Sequence, residues 1–270
     1  MKKTMNPKRR LVIGLVLVVL APLSRAETRL NFVSCPIVRD TATVPCWLSE
    51  YRGELYYLGI QTDVSSQFKP PWLGHQVLVE GVVSDAPRIC GGIVLDPVRT
   101  SVMPELDPSC NTLLPAEEAY AIDFNPRPPG PSDGRLAYQA PGGSLNDTTY
   151  SQAAGAQATA APGVFELTFD FDRSIAFRHP RELMVVIEYA KRTNARHIEV
   201  NGRRGAILLS DGTVLVESQR MPRQRAEDVA RLLHGAELEA EITVRWSDEP
   251  VSADGIDDWR SRSVEVRAAP

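Results

Sequence analysis

The sequence predicts an α+β protein with an all-β N-terminal half and a C-terminal half that mixes strands with two helices. Three observations lead to this prediction. Residues 27–124 contain short alternating runs that are broken by glycine and proline, with no helical periodicity. Residues 163–270 contain two segments whose apolar residues recur at helical spacing. Residues 125–162 are rich in proline, glycine and alanine without sustained apolar periodicity, which favours a linker between two domains.

Residues 1–26 have the pattern of a cleavable secretory signal peptide. Basic residues in the first ten positions precede an apolar run over residues 11–23, and Ser24 and Ala26 place small residues at the −3 and −1 positions of a cleavage site. The alternative is an uncleaved membrane anchor, but a spanning helix needs roughly 20 apolar residues. We therefore expect export from the cytoplasm, with no membrane span after cleavage.

Removal of the signal peptide makes the chain acidic. The full chain has 30 basic and 34 acidic side chains, and the signal carries six of the basic residues and no acid. The mature chain therefore has a net charge of −10. Phosphate contacts need lysine and arginine, so we expect no nucleic-acid partner.

All four cysteines lie in the N-terminal half, at Cys35, Cys46, Cys90 and Cys110. An even number of cysteines in an exported chain indicates two disulfides. The alternative, a four-cysteine metal site, is less favoured because zinc sites usually show close C-x₂₋₄-C pairs. Three pairings are possible. We expect the local one, Cys35–Cys46 with Cys90–Cys110, because short loops cost least entropy to close.

The N-terminal half, residues 27–124, is predicted to form a small β-barrel or β-sandwich. A hairpin is expected over residues 47–61, around a glycine turn. Residues 75–83 alternate as a strand, and residues 89–94 and 98–102 are expected to form two more short strands.

The C-terminal half is predicted to form an α+β sandwich. Strands are expected over residues 164–171, 196–200, 241–246 and 262–267, a hairpin over 206–216, and helices over 180–193 and 223–235. The hairpin has Asp211-Gly212, a favoured turn pair, at its tip. The resulting element order is β-α-β-β-β-α-β-β.

Two motifs in this half resemble those of the OmpA-like peptidoglycan-binding domain. Residues 169–174, Phe-Asp-Phe-Asp-Arg-Ser, are similar to the family's opening Phe-x-Phe-Asp-x-Ser run. Arg225-Ala226-x-x-Val229-x-x-x-Leu233 is similar to its Arg-Ala-x-x-Val-x-x-x-Leu helix. The resemblance covers about 100 of the 270 residues. In the other half, the run from Gly74 to Val83 resembles the second strand of an OB-fold.

The resemblance implies a ligand site for the diaminopimelate of the peptidoglycan stem peptide, held by an aspartate and by the arginine of the helix. Arg225 matches that arginine. Its alternative roles are an ion pair with Glu188 or Asp228, or a hydrogen bond to a neighbouring carbonyl oxygen. The aspartate is not matched, because residues 202–205 read Gly-Arg-Arg-Gly. Asp211 is a displaced ligand or, as its Asp-Gly pair favours, a turn residue. Arg203 and Arg204 are candidates for binding a carboxylate or glycan, or solvated loop charges.

The sequence contains no recognisable catalytic motif. The four histidines lack metal-binding spacing, and no G-x-S-x-G, P-loop or G-x-G-x-x-G sequence occurs. We therefore expect no cofactor and no resident metal. The leading hypothesis is a non-enzymatic protein of the periplasm or cell envelope of a Gram-negative bacterium, which binds peptidoglycan or an envelope protein through a degenerate OmpA-like domain. The alternatives are an interaction adaptor without wall affinity that uses the N-terminal β domain, and a hydrolase with an unrecognised site.

Overall fold

The computed structural model describes residues 27–60, 68–120, 163–174 and 180–269. The predicted signal peptide and linker lie outside the described residues. Within the described ranges, no helix has both the length and the apolar character needed to cross a membrane.

The N-terminal half forms one seven-stranded sheet in the order β1-β5-β6-β4-β3-β2-β7. Its strands are β1 (Arg29–Ser34), β2 (Pro36–Arg39), β3 (Cys46–Tyr51), β4 (Glu54–Ile60), β5 (His75–Val83), β6 (Ile93–Leu106) and β7 (Thr112–Leu114). Only Cys35 separates β1 from β2, yet β1 pairs with β5 while β2 pairs with β3. The sheet therefore curls around a core that includes Phe32, Leu58 and Val79. The predicted β-rich half is confirmed, as a curled sheet rather than a closed barrel.

The expected hairpin is confirmed as β3 and β4, joined at Arg52 and Gly53. Both turn residues have positive φ, 53° and 81°, as a two-residue turn of the I′ type requires. The prediction of two short strands over residues 89–94 and 98–102 is wrong, because β6 is one strand of 14 residues. It passes through Pro97 at a register shift against β5, where an extra residue leaves the proline outside the regular ladder.

Two disulfides are present, but the predicted local pairing is wrong. The bonds join Cys35 to Cys110 and Cys46 to Cys90, across sequence separations of 75 and 44 residues. Loop-closure entropy did not decide the pairing, because the folded sheet sets which sulfurs meet. The parallel pairing of β2 with β7 brings Cys35 beside Cys110. The turn before β6, closed by the antiparallel pairing of Ile89 with Gly92, packs Cys90 into one cluster with Cys46 and Leu48 of β3.

The C-terminal half is an α+β sandwich with the predicted element order. Its elements are β8 (Val164–Thr168), α1 (Pro180–Thr193), β9 (His197–Arg204), β10 (Ala206–Leu208), β11 (Val214–Val216), α2 (Met221–Gly235), β12 (Glu241–Pro250) and β13 (Ser263–Ala269). Four strands form a sheet in the order β12-β9-β13-β8, and β10 pairs with β11 as the expected hairpin.

The two helices cover one face of the four-stranded sheet. The core between them includes Leu167, Phe169, Val200, Val229 and Leu233, all fully buried. At Gly202 the sheet and α2 come so close that an added Cβ would lie 2.0 Å from the carbonyl oxygen of Pro222. The opposite face of the sheet carries charged side chains that form ion pairs with one another. The helices therefore cover only one of the two faces of this sheet.

The two halves pack against each other through strand β5. Val77 and Val79 point into the N-terminal core, while Leu78, on the other face of the strand, packs with Phe171 and Ile207 of the C-terminal half. All three of Val77, Leu78 and Val79 are fully buried. Strand β5 is thus buried on both faces because the second half covers the face that would otherwise be solvated.

A buried ion pair crosses the same interface. Arg262, just before β13, donates from Nη2 to Oε2 of Glu80 in β5, and both side chains are almost fully buried. Beside it, the Asn31 side chain donates to the carbonyl oxygens of Leu208 and Gly255 at 3.1 and 3.0 Å. The interface is therefore specified by polar partners as well as by apolar packing.

The disulfide pairing can be tested by peptide mapping without reduction. We expect cross-linked peptides that join Cys35 to Cys110 and Cys46 to Cys90, and no alkylation of native protein before reduction. Replacing Cys46 and Cys90 together with serine is expected to lower the free energy of unfolding by about 2–4 kcal/mol, because the unfolded chain regains loop freedom. Peptides joining Cys35 to Cys46 would contradict the observed topology.

The interface ion pair can be tested by urea unfolding of the mature chain. Glu80→Ala leaves the Arg262 cation buried without its partner, so we expect a loss of about 3–5 kcal/mol. A Glu80→Met, Arg262→Met double variant is expected to recover most of that loss. The control is Glu54→Ala, which breaks the exposed 2.8 Å pair with Arg88 and should cost at most about 1 kcal/mol. Equal losses for Glu80→Ala and Glu54→Ala would refute the buried link.

Candidate functional site

Arg225, the residue that the family resemblance identifies, lies in α2 and is fully buried, with an exposed fraction of 0%. Its guanidinium binds Glu217 with two parallel hydrogen bonds, from Nη1 to Oε2 at 2.8 Å and from Nη2 to Oε1. Nε donates to the carbonyl oxygen of Arg173 at 2.8 Å, and Nη2 donates to that of Asp170 at 3.0 Å. The chain itself therefore encloses the cation.

Glu217 follows strand β11 and is as completely buried as its partner. Its carboxylate also accepts the backbone N–H groups of Asp172 and Gly205, at 2.9 and 2.8 Å. Burial acts to raise the pKa of Glu217, but the hydrogen bonds and charge of Arg225, with the two backbone donors, hold it below its ordinary value. Glu217 therefore remains ionised and neutralises Arg225.

The two motifs that carry the family resemblance meet at this ion pair, which we call the Arg225 cage: Arg225, Glu217 and the turn over residues 169–174. The ring of Phe169 lies 5.0 Å from the guanidinium carbon of Arg225. The alternative pairings of Arg225 with Glu188 or Asp228 do not appear among its described contacts; Asp228 instead pairs with Arg231. The cage brings together residues that are distant in the sequence.

Asp172 lies at the edge of the cage in a left-handed conformation, with φ of 53°. Its Oδ1 accepts the backbone N–H of Ser218 at 2.8 Å. Partial burial, followed by the charge of Glu217, raises the pKa of Asp172, and the hydrogen bond from Ser218 offsets only part of this effect. Ionised Asp172 therefore lowers the stability of the folded chain at neutral pH.

Arg203 and Arg204 lie at the end of β9, and their side chains contact different groups. Arg203 donates to Glu265 at 2.8 Å and lies 3.7 Å from Glu166, on the charged face of the sheet. Arg204 donates from Nε to the carbonyl oxygen of Glu217 at 2.7 Å, and from Nη1 to that of Asp248 at 3.1 Å. Arg204 thus supports the backbone beside the cage, whereas Arg203 belongs to a surface ion-pair group.

Asp211 lies at the exposed tip of the β10–β11 hairpin. Its Oδ1 accepts the backbone N–H of Thr213 at 2.8 Å, and this bond lowers the pKa of the carboxyl group. The next residue, Gly212, has φ of 91°. These are the contacts of a turn residue. Asp211 is not brought together with Arg225, whose carboxylate partner is Glu217.

Two other places in the structure do not form a ligand site. Cys35, Cys110 and Asp107 lie within metal-ligand distance of one another, but the two sulfurs are joined in a disulfide. A cavity of about 30 Å³ lies at the interface of the halves, lined by residues that include Glu80, Arg99 and Trp259. That volume has room for about one water molecule.

An exposed apolar surface lies at the end of the β5–β6 pair, and we call it the Trp72 patch: Trp72, Leu73 and Leu106. Trp72 and Leu106 expose 56% and 77% of their surface. Leu106 pairs with His75, and the ring of His75 lies 5.9 Å from the ring of Trp72. The exposed side chains of Trp72 and Leu106, 34 residues apart in the sequence, thus neighbour the same residue, His75.

Comparisons with known proteins add no identification. No protein-family model matches the chain, and no curated protein is significantly similar to it.

Sequence reasoning identified Arg225 but missed Glu217, the residue that determines what Arg225 can do. Glu217 directly follows the short apolar run Val214-Leu215-Val216, and a carboxylate at the end of such a run is usually exposed. No fixed spacing marks a bidentate arginine pair. The Trp72 patch was also missed, although the adjacent Trp72 and Leu73 follow Pro70-Pro71 and stand outside any strand pattern.

The pKa of Asp172 leads to a pH-dependent prediction. Asp172→Asn keeps the acceptor for Ser218 and tolerates positive φ, but removes the buried charge. We expect its Tm to exceed that of the wild type by roughly 2 °C at neutral pH. Because the folded pKa is raised, the gain is expected to shrink as pH falls through that pKa and wild-type Asp172 becomes protonated.

Thermal unfolding across a pH series measures this effect. Asp211→Asn is the matched control, since the pKa of Asp211 is lowered rather than raised and its replacement should give no gain. A gain for Asp172→Asn that stays constant down to acidic pH would contradict the proposed cause.

Proposed function

We propose that this chain is a non-enzymatic protein of the periplasm or cell envelope that acts as an adaptor for another envelope protein, without affinity for the cell wall. This favours the second of the sequence hypotheses over direct peptidoglycan binding. The observation that carries the proposal is the Arg225 cage. Glu217 already holds the guanidinium that, by resemblance to OmpA-like domains, would hold the carboxylate of a stem peptide.

A ligand carboxylate would have to displace Glu217 to reach Arg225. Displacement would break the bidentate pair and also the bonds from the N–H groups of Asp172 and Gly205. The freed Glu217 carboxylate would then be a buried anion with no partner, a change that costs about 3–5 kcal/mol in other proteins. This penalty supports a structural role for Arg225.

The Trp72 patch supports the choice of a protein as the partner. Tryptophan and arginine side chains are enriched in the parts of protein interfaces that contribute most to binding. The guanidinium of Arg173 lies 5.3 Å from the ring of Trp72, which places a cation at the border of the patch. The patch therefore combines an apolar centre with a charged rim.

Co-sedimentation with purified peptidoglycan sacculi tests the absence of wall affinity. We expect mature wild-type protein to stay in the supernatant, while an OmpA-like domain with an intact aspartate–arginine pair pellets under the same conditions. A double variant, Glu217→Met with Arg225→Met, keeps the volume of the cage without its charges. It should behave like the wild type.

One outcome of the co-sedimentation test would contradict the proposal. If the wild type pellets and the folded double variant does not, Arg225 takes part in wall binding and the proposal fails.

Photo-crosslinking from position 106 in cells tests the partner surface, with position 232 on α2 as an exposed control. A discrete protein adduct from position 106 that Trp72→Ser abolishes is expected; equal adducts from both positions would reject the Trp72 patch.

A further inference from the structure

Strand β12 forms one end of the four-stranded sheet. Across the described ranges, no strand pairs with its outer edge. β12 is ten residues long, whereas β8 at the other end of the sheet has five. A free edge presents a row of unpaired N–H and C=O groups on which another strand can pair, and natural edges are usually short or protected.

The first part of β12 is regular, and its backbone geometry shows which groups point outwards. The register with β9 runs without a shift from Glu241 to Trp246. The N–H of Glu241 donates to the carbonyl oxygen of Arg196, at 2.8 Å, so this residue points its backbone groups at the sheet. Because these directions alternate along a strand, Ile242, Val244 and Trp246 direct theirs outwards. The segment contains no proline, glycine or lysine that would protect the edge.

We propose that the edge of β12 is a homodimer interface, on which β12 of a second copy pairs in antiparallel orientation, centred on Thr243. This register joins the two sheets into one of eight strands. It sets Ile242 opposite Val244 of the second copy as a hydrogen-bonded pair, since both residues direct their backbone groups outwards. It is a symmetric contact, in which the same surface of both chains meets.

Charge complementarity selects a second copy as the occupant. In this register Glu241 lies opposite Arg245 of the second copy, and symmetry makes the pair occur twice. Both residues lie on the charged face of the sheet, where directly opposed side chains are about 5 Å apart at Cβ. Within one chain, Glu241 has His197 at 3.5 Å and Arg245 has Glu199 at 3.3 Å, and both contacts are exposed. Such surface contacts leave the two charges accessible to a partner.

The apolar side chains on the helix-covered face fit the same arrangement. Ile242 and Val244 pack on the C-terminal core yet remain only partly buried. Trp246 exposes 41% of its surface and would lie opposite Ala240 of the second copy, a small residue that leaves room for an indole ring. Pairing would therefore bury apolar surface on one face and match charges on the other.

Sedimentation velocity of the mature chain over a dilution series tests the dimer. We expect the wild type to dimerise reversibly. Glu241→Arg and Arg245→Glu each place like charges opposite one another in both symmetric pairs, so each should weaken the dimer by about tenfold or more. Mixing the two variants should restore association, because opposite charges then face each other in both pairs of the heterodimer.

Arg267→Glu is the matched control. Arg267 lies on the same face of the sheet, 61% exposed and bound to Glu265, but on the inner strand β13. It makes the same change of charge away from the edge and should leave the dimer intact. A wild-type monomer at every concentration would overturn the proposal. So would a dimer that Arg245→Glu leaves unchanged, or two weakened variants that do not associate when mixed.

Discussion

Two buried arginines, and the need to neutralise them, organise the centre of this molecule. Arg262 is paired with Glu80 and Arg225 with Glu217, and a buried cation without such a partner would cost several kcal/mol. The two pairs are packed on either side of Gly205. A Cβ on that glycine would lie 2.3 Å from Cγ of Arg262 and 2.9 Å from Oε2 of Glu217. The two pairs therefore form one connected group rather than separate contacts.

The same group explains how the two halves are joined. The ring of Phe169 lies against the guanidinium of Arg225, and the ring of Phe171 lies 5.9 Å from the guanidinium carbon of Arg262. Two alternate residues of one short run therefore contact the two buried cations. The N–H of Phe171 donates to Oγ of Ser101 in the other half at 3.1 Å. The run over residues 169–174, which resembles a motif of a ligand-binding family, thus contributes to the interface between the two halves. Strand β5, buried on both faces, supplies the complementary surface.

Local patterns predicted local structure, and long-range partners stayed hidden. Helix α1 has the predicted bounds, because its apolar stripe and starting proline are local signals. The disulfide pairing and both arginine partners depend on sheet topology instead. Glu80 and Arg262 are 182 residues apart, and no spacing rule links them. The alternation over residues 75–83 correctly predicted strand β5, but could not show that Leu78 and Glu80 meet the C-terminal half.

The contacts that Arg225 already makes move the proposed binding sites from the interior to the surface. In the interior, Arg225 has a carboxylate, two carbonyl oxygens and an aromatic face, so a ligand would replace good contacts with equivalent ones at best. At the periphery, the outer edge of β12 and the Trp72 patch offer backbone groups and apolar surface whose burial would be a net gain. Binding free energy comes from such differences rather than from the presence of a charged residue. The resemblance selects Arg225 as a ligand residue, but its internal partner Glu217 shifts the proposed binding surfaces to the strand edge and the patch.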